Sequence, residues 1–394
     1  MTSLARDIVD AYNAGRIVRS PTTLCYAPET SLNFFTDGYV SACCASRTFP
    51  VGSYPAKTIE EIWQGARVAS LRRSLRDDNP PNACQGCRDH FESGNFSNAL
   101  ARNFDPIPVF GHPVDASAPR LQLIEFEISN SCNLECVMCN GWNSSAIRRN
   151  RDRLPALESP YDDAFVDQLG PFLPYLHEAR FLGGEPFLVP IYYRIWNALI
   201  DVNPSISTVI TTNGTIMNRK VRDVLDRLKP GIVVSCDSMD RATYEAIRVN
   251  ARFDDVMANI ETFRHASQEA GSHFGIAACP MPQNWRTIPG IVDFCNDRNV
   301  PLCFNTVLEP AANSIRALPR EEIETIHGYL SDAMPRPTRR ELGQEHVAAN
   351  LERYRGLLSQ LAGWTGVREG SVDVSIRGSR LRTLSERVRL QRRG

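Results

Sequence analysis

The strongest constraint on the fold is a regular alternation of apolar and helical segments between residues 121 and 310. Short apolar runs rich in β-branched and aromatic residues predict strands, and most intervening segments are long enough to form crossover helices. Strands that alternate with helices pair in parallel, so the sequence predicts an α/β fold with a parallel sheet, open or closed into a partial (β/α)6 barrel. The predicted strands are LQLIEFEI, EARFLGG, STVITTNG, GIVVSCDS, HFGIAACP and PLCFNTVL.

The residues before this region predict a smaller α+β domain. A short helix is predicted from residue 1 to about 20, and SLNFFTDGYVSA predicts a hairpin that turns at Asp37 and Gly38. The segment TIEEIWQGARVASLRRSL predicts an amphipathic helix capped by Thr58. A Pro- and Gly-rich stretch at 105–120 predicts a boundary between this domain and the next.

Beyond Pro310 the sequence predicts helices, EEIETIHGYLSDAM and a longer segment at 339–362, followed by a polar, Arg-rich tail. The apolar stripe of the longer helix fits an ordinary core-facing surface. It fits equally well a helix that covers the mouth of the barrel or binds a peptide leader. The sequence leaves these interpretations open.

Composition narrows the classes of function. The formal net charge of -1 gives no overall basic field, so neither nucleic acid nor an anionic membrane surface is an expected partner. Acidic residues interrupt the N-terminal segment where a secretory signal needs an apolar run, and no segment reaches membrane-spanning length. We therefore expect a cytoplasmic protein, and for its 12 cysteines metal ligation is a better starting assumption than disulfide formation.

Three of these cysteines lie close together in SCNLECVMCNG at 131–141. Structural zinc usually takes four protein ligands, whereas three leave a coordination position open. Three thiolates on a four-iron cluster likewise leave one iron free. The alternative is a set of buried thiols in a core loop. However, Asn133 and Asn140 flank these cysteines, and such polar residues are uncommon in a core. The predicted ligands are Cys132, Cys136 and Cys139.

A second candidate site lies upstream, where four cysteines can converge on one metal centre: Cys25, Cys43, Cys84 and Cys87. Zinc is one candidate, because four-cysteine sites with a Cys-x-x-Cys turn are typical of it. The Gly38-x4-Cys43 spacing favours Cys43 over its neighbour Cys44 as the ligand. Unligated buried thiols are the remaining interpretation, since free cysteines favour interiors.

The segment EISNSCNLECVMCNG resembles the signature of the radical S-adenosylmethionine (SAM) superfamily. FLGGEPFL at 181–188 resembles the Gly-Gly-Glu-Pro segment of that family, and TTNGT and SCDSMDRATYEAIR resemble its later strand ends. Upstream, CYAP, GYVSACC, EEIW and CQGC resemble the SPASM or twitch modules that carry auxiliary [4Fe-4S] clusters. In most of those enzymes the module follows the barrel, whereas here it precedes it. The resemblance implies a SPASM/twitch-like domain at 1–115, a radical SAM barrel at 116–315 and a helical extension at 316–394.

The family resemblance implies that Cys132, Cys136 and Cys139 hold a [4Fe-4S] cluster whose fourth iron is chelated by SAM. One-electron reduction by a donor such as flavodoxin or ferredoxin then yields a 5'-deoxyadenosyl radical, which abstracts a hydrogen atom from the substrate. One auxiliary [4Fe-4S] cluster is expected at the upstream cysteines. Expected SAM contacts are Met138, Gly183, Gly184, Glu185, Pro186, Asn213, Ser235 and Asp237.

Two positions depart from the family pattern. Met138 stands where the family commonly has an aromatic residue near the adenine, and Met is a flexible apolar substitute. Cys236 and Ser238 stand where an apolar residue and a glycine are frequent. The turn after the fourth predicted strand is therefore expected to differ from the family pattern.

Three functions remain open from the sequence. The first is a net oxidation of a peptide or small molecule, assisted by the auxiliary cluster. The second is epimerisation, with Cys279 or Cys303 as the thiol that returns a hydrogen atom, although free cysteines are more often buried apolar residues. The third is a non-catalytic iron-sulfur or zinc protein, which has no need of a Gly-Gly-Glu-Pro segment to cradle SAM.

Overall fold

The computed structural model describes residues 3–365 except 93, 95, 97, 98, 116, 339 and 340. The predicted Arg-rich tail lies outside these residues. The described chain forms two compact units, which we call the first unit (residues up to Asn130, with Leu157–Val209) and the second unit (Ser131–Ala156, with the chain from Ile210 onward). None of the helices among the described residues has the length and apolar character needed to cross a membrane.

The strands are β1 (Ser31–Phe35), β2 (Tyr39–Ser41), β3 (Gly52–Ser53), β4 (Leu123–Glu127), β5 (Glu178–Phe181), β6 (Ser207–Thr212), β7 (Gly231–Ser235), β8 (Phe274–Ala278) and β9 (Leu302–Phe304). The helices are α1 (Arg6–Ala14), α2 (Ala27–Thr30), α3 (Ile59–Trp63), α4 (Ala66–Arg76), α5 (Gln85–Glu92), α6 (Pro106–Phe110), α7 (Ser145–Asn150), α8 (Asp163–Leu169), α9 (Pro190–Val202), α10 (Arg219–Leu228), α11 (Arg241–Ile247), α12 (Phe253–Ala270), α13 (Ile288–Asp297), α14 (Arg320–Asp332) and α15 (Val347–Thr365). All six strands predicted between residues 121 and 310 are present, as β4 to β9, so the α/β class is confirmed.

The first unit is built on the strand order β3-β2-β1-β4-β5. The predicted hairpin is confirmed, since β1 and β2 are antiparallel. Its first strand also pairs in parallel with β4, from Ser31 opposite Leu123 to Phe35 opposite Glu127. The hairpin therefore extends the parallel sheet, although the sequence places the two strands on either side of a predicted boundary. The three-domain division itself stays a prediction.

The sheet of the first unit has one aromatic face and one polar face. Phe34, Phe126 and Phe181 lie on the aromatic face, where the Phe126 and Phe181 rings stack at 5.0 Å. Helices α8 and α9 cover this face, with Phe165 5.2 Å from Phe34 and Trp196 5.5 Å from Phe181. Because side chains alternate along a strand, the intervening residues of β1, β4 and β5 lie on the opposite face.

The second unit contains the parallel strands β7, β8 and β9. Helix α15 packs beside β9 through the buried Asn350, whose Oδ1 accepts from Leu302 N at 2.9 Å and whose Nδ2 donates to Val300 O at 2.9 Å. This placement agrees with the core-facing interpretation of the C-terminal helix.

One predicted helix differs from expectation, because the segment from Thr58 forms two helices, α3 and α4. Thr58 does cap α3, accepting from Glu61 N at 3.2 Å while the Glu61 carboxylate accepts from Thr58 N at 2.8 Å. The break comes at Gly65, which lies in extended backbone as the N-cap of α4. A Cβ there would stand 2.9 Å from Glu61 O, so glycine allows the chain to turn tightly.

Candidate functional site

The loop that carries Cys132, Cys136 and Cys139 is held by backbone hydrogen bonds within the second unit. Glu135 N donates to Val249 O at 3.0 Å, and Val137 N donates to Ile247 O at 2.9 Å. Cys139 N donates to Cys136 O at 3.1 Å, which closes a turn between the last two cysteines. The loop thus has a fixed backbone before any ligand binds.

The thiols of this loop share one desolvated environment. Burial, together with the charges of Cys136 and Cys132, raises the pKa of Cys139 to about 12. Burial also raises the pKa of Cys136. Thiolates that destabilise one another in this way need a cationic centre to neutralise them, and a metal centre supplies that charge.

Arg248, at the end of α11, lies beside this loop. Its Nη1 is 3.9 Å from the Cys136 sulfur, and its Nε donates to Asp237 Oδ2 at 2.7 Å. The Arg248 charge lowers the pKa of Cys136 against the larger effect of burial. Sequence reasoning did not single out Arg248, although the residue lies in the quoted segment SCDSMDRATYEAIR.

Asp237 is fully buried and both of its carboxylate oxygens have partners in the second unit. Oδ2 accepts from Arg248, and Oδ1 accepts from Cys279 N at 2.8 Å. Asn284 Nδ2 donates to the Asp237 carbonyl at 2.7 Å. The carboxylate therefore orients the Arg248 guanidinium, and the SAM contact expected of Asp237 stays a prediction. Ser235, at the end of β7, is half-buried.

Asn213, which follows β6, joins the predicted TTNGT segment to the cysteine loop. Its Nδ2 donates to Asn133 Oδ1 at 3.0 Å and lies 3.9 Å from the Cys132 sulfur. Its Oδ1 accepts from Thr215 N at 2.9 Å, and Asn133 Nδ2 donates to Thr215 Oγ1 at 2.9 Å. The amide side chains thus fix one end of the loop.

An apolar cluster of Ile247, Met281 and Val307 packs against the other end of the loop. Met138 and Cys279 both lie against this cluster. Burial raises the pKa of Cys279 to about 12, so this thiol is protonated at neutral pH. Cys303 is exposed instead, with its sulfur 3.8 Å from Asn305 Oδ1.

The Gly-Gly-Glu-Pro segment follows β5 in the first unit. Gly183 and Gly184 both have positive φ, at 77° and 56°. A Cβ on Gly183 would stand 3.0 Å from Glu127 Cα and 3.1 Å from Ser129 O, so glycine is needed for close approach to the end of β4. Glu185 is fully buried, and its Oε1 accepts from Phe187 N at 3.2 Å across the turn that contains Pro186.

The four upstream cysteines lie together in the first unit. Cys25, Cys43, Cys84 and Cys87 all line one cavity of about 280 Å³, and Cys44 does not line it. All are free thiols. Among the described residues no three Cys, His, Asp or Glu side chains stand close enough to surround a single metal ion. The four thiols therefore line a common cavity, but they are not arranged as the ligands of a single metal ion.

The electrostatics of this cavity suit thiolate ligands of a cationic centre. Burial, together with the charges of Cys43 and Cys87, raises the pKa of Cys84 to about 12. Burial raises the pKa of Cys25 as well, while the Ala27 amide, 3.4 Å from its sulfur, lowers it. Amide donors to sulfur are a feature of iron-sulfur sites, where they tune the reduction potential.

Comparison with protein families identifies both regions. Residues 126–295 match the model of the Radical SAM superfamily, a segment that contains the three-cysteine loop and the Gly-Gly-Glu-Pro segment. Residues 25–88 match the model of SPASM, an iron-sulfur cluster-binding domain, and contain the four cavity cysteines. This second match favours iron-sulfur over zinc at the upstream site.

Solved structures that resemble the chain include the protein anSMEcpe with bound AdoMet, at 18% identity and a TM-score of 0.41, covering 55% of this chain and 57% of that one. Another is SuiB of Streptococcus suis bound to its precursor peptide SuiA, at 17% identity and a TM-score of 0.40, covering 64% and 59%. The chain thus spans less than two thirds of the length of either protein. The two family matches identify a radical SAM domain at residues 126–295, a kind of domain that binds a [4Fe-4S] cluster and SAM, and a SPASM iron-sulfur domain ahead of it at residues 25–88.

Proposed function

We propose that the protein is a radical SAM oxidoreductase that modifies a peptide or a small molecule. When bound, the cluster and SAM supply a 5'-deoxyadenosyl radical that abstracts a hydrogen atom from the substrate. The observation that carries the proposal is the three-cysteine loop, held by backbone hydrogen bonds, in which the charges of Cys136 and Cys132 act on Cys139, within a segment that matches the radical SAM superfamily.

In this proposal Cys132, Cys136 and Cys139 are the ligands of the SAM-binding cluster. Arg248 holds a positive charge 3.9 Å from the Cys136 sulfur, and Asp237 fixes the direction of that guanidinium. Asn213 and Asn133 hold the Cys132 end of the loop through their 3.0 Å amide contact. These residues position the thiolates before the cofactors bind.

We propose that the remaining expected SAM contacts bind SAM, as the corresponding residues of the family do. Gly183 and Gly184 present backbone without side chains, and the buried Glu185 holds the turn that follows them. Met138 supplies an apolar side chain beside Ile247 and Met281, and the half-buried Ser235 supplies a hydroxyl. A reduced donor such as flavodoxin or ferredoxin provides the electron for each turnover.

Cys25, Cys43, Cys84 and Cys87 are the proposed ligands of the auxiliary cluster. A cavity lined by four thiols that match a SPASM model supports this assignment. An auxiliary cluster can accept the electron that the substrate radical loses after hydrogen abstraction, so we propose a net oxidation.

The test is release of 5'-deoxyadenosine from SAM by anaerobically reconstituted, reduced protein. Wild type is expected to release it and Cys136→Ala is expected to release none. Cys295→Ala is the matched control, because Cys295 is a fully buried thiol of the same unit that no proposed site uses. Absence of 5'-deoxyadenosine from wild type with full iron content contradicts the proposal.

Epimerisation is the second candidate, because Cys279 is a protonated thiol in the same apolar cluster as Met138. A thiol donor exchanges its hydrogen with solvent, so turnover in D2O places deuterium on the product carbon. Net oxidation leaves no new carbon-hydrogen bond. Loss of deuterium incorporation in Cys279→Ala, but not in Cys303→Ala, assigns the donor to Cys279, and the reverse result assigns it to Cys303.

A further inference from the structure

The polar face of the first unit carries a continuous row of side chains. Asn33 on β1 stands opposite Glu125 on β4, and Glu125 stands opposite Arg180 on β5. Ser41 on β2 continues the row beyond Asn33. Residues in register point to the same side of a sheet, so these side chains share one surface of the first unit.

The charges on this surface do not balance. Arg180 is shared by two carboxylates, with Nε 2.7 Å from Glu178 Oε1 and Nη1 3.4 Å from Glu125 Oε2. Glu127, two residues along β4 from Glu125, makes no ion pair within 4.0 Å among the described residues, and the nearby Arg47 pairs with Asp37 at 3.1 Å. Burial, together with the charge of Glu125, raises the pKa of Glu127 to about 7. Among the described residues no cation therefore pairs directly with Glu127, although the charge of Arg47 lowers its pKa.

Asn33 supplies an independent sign of a ligand. Its side chain is only 1% exposed. Its Oδ1 has no hydrogen-bond partner among the described residues, whereas its amide group lies near the Glu127 carboxyl and lowers the pKa of that carboxyl through a hydrogen bond. A buried polar group left without a partner costs about 1–3 kcal/mol. The cost is relieved when a ligand donates to the amide oxygen.

We propose that this surface binds the ammonium group of an amine-bearing substrate, with the Glu127 carboxylate and the Asn33 amide oxygen as its acceptors. The inference deepens the proposed function, on which it rests, by naming a chemical class for the substrate. An ammonium group carries several N–H donors and a positive charge, which are the two things that Asn33 and Glu127 lack. A neutral alcohol supplies only the donor.

Cys44 provides a reporter on the same surface. Cys44 is exposed as a residue, while partial burial of its sulfur raises the pKa of the thiol, with further increases from the charges of Glu125 and Glu127. Two methanethiosulfonate reagents of opposite charge, one ending in trimethylammonium and one in sulfonate, measure the potential at this sulfur. Both reagents react with the same thiol, so the intrinsic reactivity of that thiol cancels in the ratio of the two rates.

The first experiment measures this ratio at Cys44 in the holoprotein by peptide mass spectrometry, normalised to a free small thiol. Wild type is expected to favour the cationic reagent by about tenfold or more at low salt, and Glu127→Gln is expected to remove most of that preference. Glu158→Gln, an exposed carboxylate of the same unit, is the matched control and is expected to change nothing. No cationic preference, or an equal preference in Glu127→Gln, overturns the proposal.

The second experiment identifies the occupant by protection of Cys44 from the neutral reagent iodoacetamide. Butylammonium is expected to slow the reaction in wild type and not in Glu127→Gln, while 1-butanol is expected to have no effect. Equal protection by 1-butanol shows a hydroxyl site and overturns the proposal, as does protection by neither. If SAM alone protects Cys44 and removes the effect of butylammonium, the occupant is SAM, which also overturns it. None of these readouts needs SAM cleavage, so failure of the proposed function is seen separately.

Discussion

The buried pair between Asp237 and Arg248 sets the electrostatics next to Cys136. The Asp237 side chain is fully buried and that of Arg248 is 9% exposed, at an N···O distance of 2.7 Å. Breaking a buried pair by removing one partner leaves the other charge without compensation. The pair therefore matters more for stability than the ion pairs on the surface.

Asp237→Asn is expected to destabilise the protein by about 3–5 kcal/mol, because Arg248 then keeps a buried charge without its counter-ion. Asparagine can still accept from Cys279 N, but its NH2 group then replaces the oxygen that accepts from Arg248 Nε, so the change removes the charge and that acceptor together. The matched control is Asp223→Asn, which removes the exposed pair with Arg227 at 3.3 Å and is expected to cost less than about 1 kcal/mol. Thermal unfolding of both variants checks this, and equal midpoints contradict it.

Neighbouring cysteines allow a direct test of the auxiliary ligands. Cys43 lines the four-thiol cavity and Cys44 does not. Cys43→Ser is expected to lower the iron content by about four per chain, the content of one [4Fe-4S] cluster. Cys44→Ser is expected to retain all of it. Iron analysis of the reconstituted variants decides, and loss of iron from Cys44→Ser instead would exchange the two assignments.

At the scale of elements, the turn after β5 depends on one glycine. Gly183 has a φ of 77° and its missing Cβ leaves room for the backbone of Glu127 and Ser129. Both requirements are met by glycine alone. The turn thereby places the Gly-Gly-Glu-Pro segment against the end of β4.

Gly183→Ala is expected to destabilise the protein by about 1–3 kcal/mol, since alanine is strained at this φ and its Cβ meets backbone that cannot move aside. Gly328→Ala, in α14, is the matched control because nothing lies within 4 Å of a Cβ there. Alanine in a helix is favoured over glycine by about 0.5–1 kcal/mol, so this control is expected to raise the unfolding midpoint. A Gly183→Ala variant as stable as wild type would contradict the account of the turn.

Local patterns predicted the elements well. The alternating and apolar runs predicted the hairpin and β4 to β9, and Thr58 predicted the start of α3. Pairing between β1 and β4 was not predicted, because strand propensity does not say which edge a distant strand joins. The break at Gly65 was missed, since one glycine is tolerated inside a helical pattern.

The candidate sites, like the elements, were predicted where the signal is local and missed where it depends on tertiary contacts. Clustered cysteines and the resemblance of their flanking sequence pointed to both metal centres, and the structure brings Cys25, Cys43, Cys84 and Cys87 to one cavity. Arg248 and Asn33 were not identified. Each acts on residues far away in the sequence, Arg248 on Cys136 and Asn33 on Glu127, so its role depends on tertiary placement rather than on a local pattern.

At the scale of the whole molecule, the proposal assigns different tasks to the two metal centres. Cleavage of SAM needs the three-cysteine loop, and oxidation of the substrate needs the four-cysteine cavity as well. The double variant Cys84→Ala/Cys87→Ala is therefore expected to keep releasing 5'-deoxyadenosine from SAM while its iron content falls to about four per chain. Loss of 5'-deoxyadenosine release at retained folding, measured by chromatography and circular dichroism, would show that the tasks are not separate.

The central claim is that three thiolates leave one iron of the cluster open to SAM. Electron paramagnetic resonance of the reduced protein, recorded before and after addition of SAM, tests it most directly. We predict that SAM changes the spectrum of one cluster in wild type, and that this responsive signal is absent from Cys136→Ala. A wild-type protein with about eight irons per chain whose spectrum is the same with and without SAM would contradict the claim.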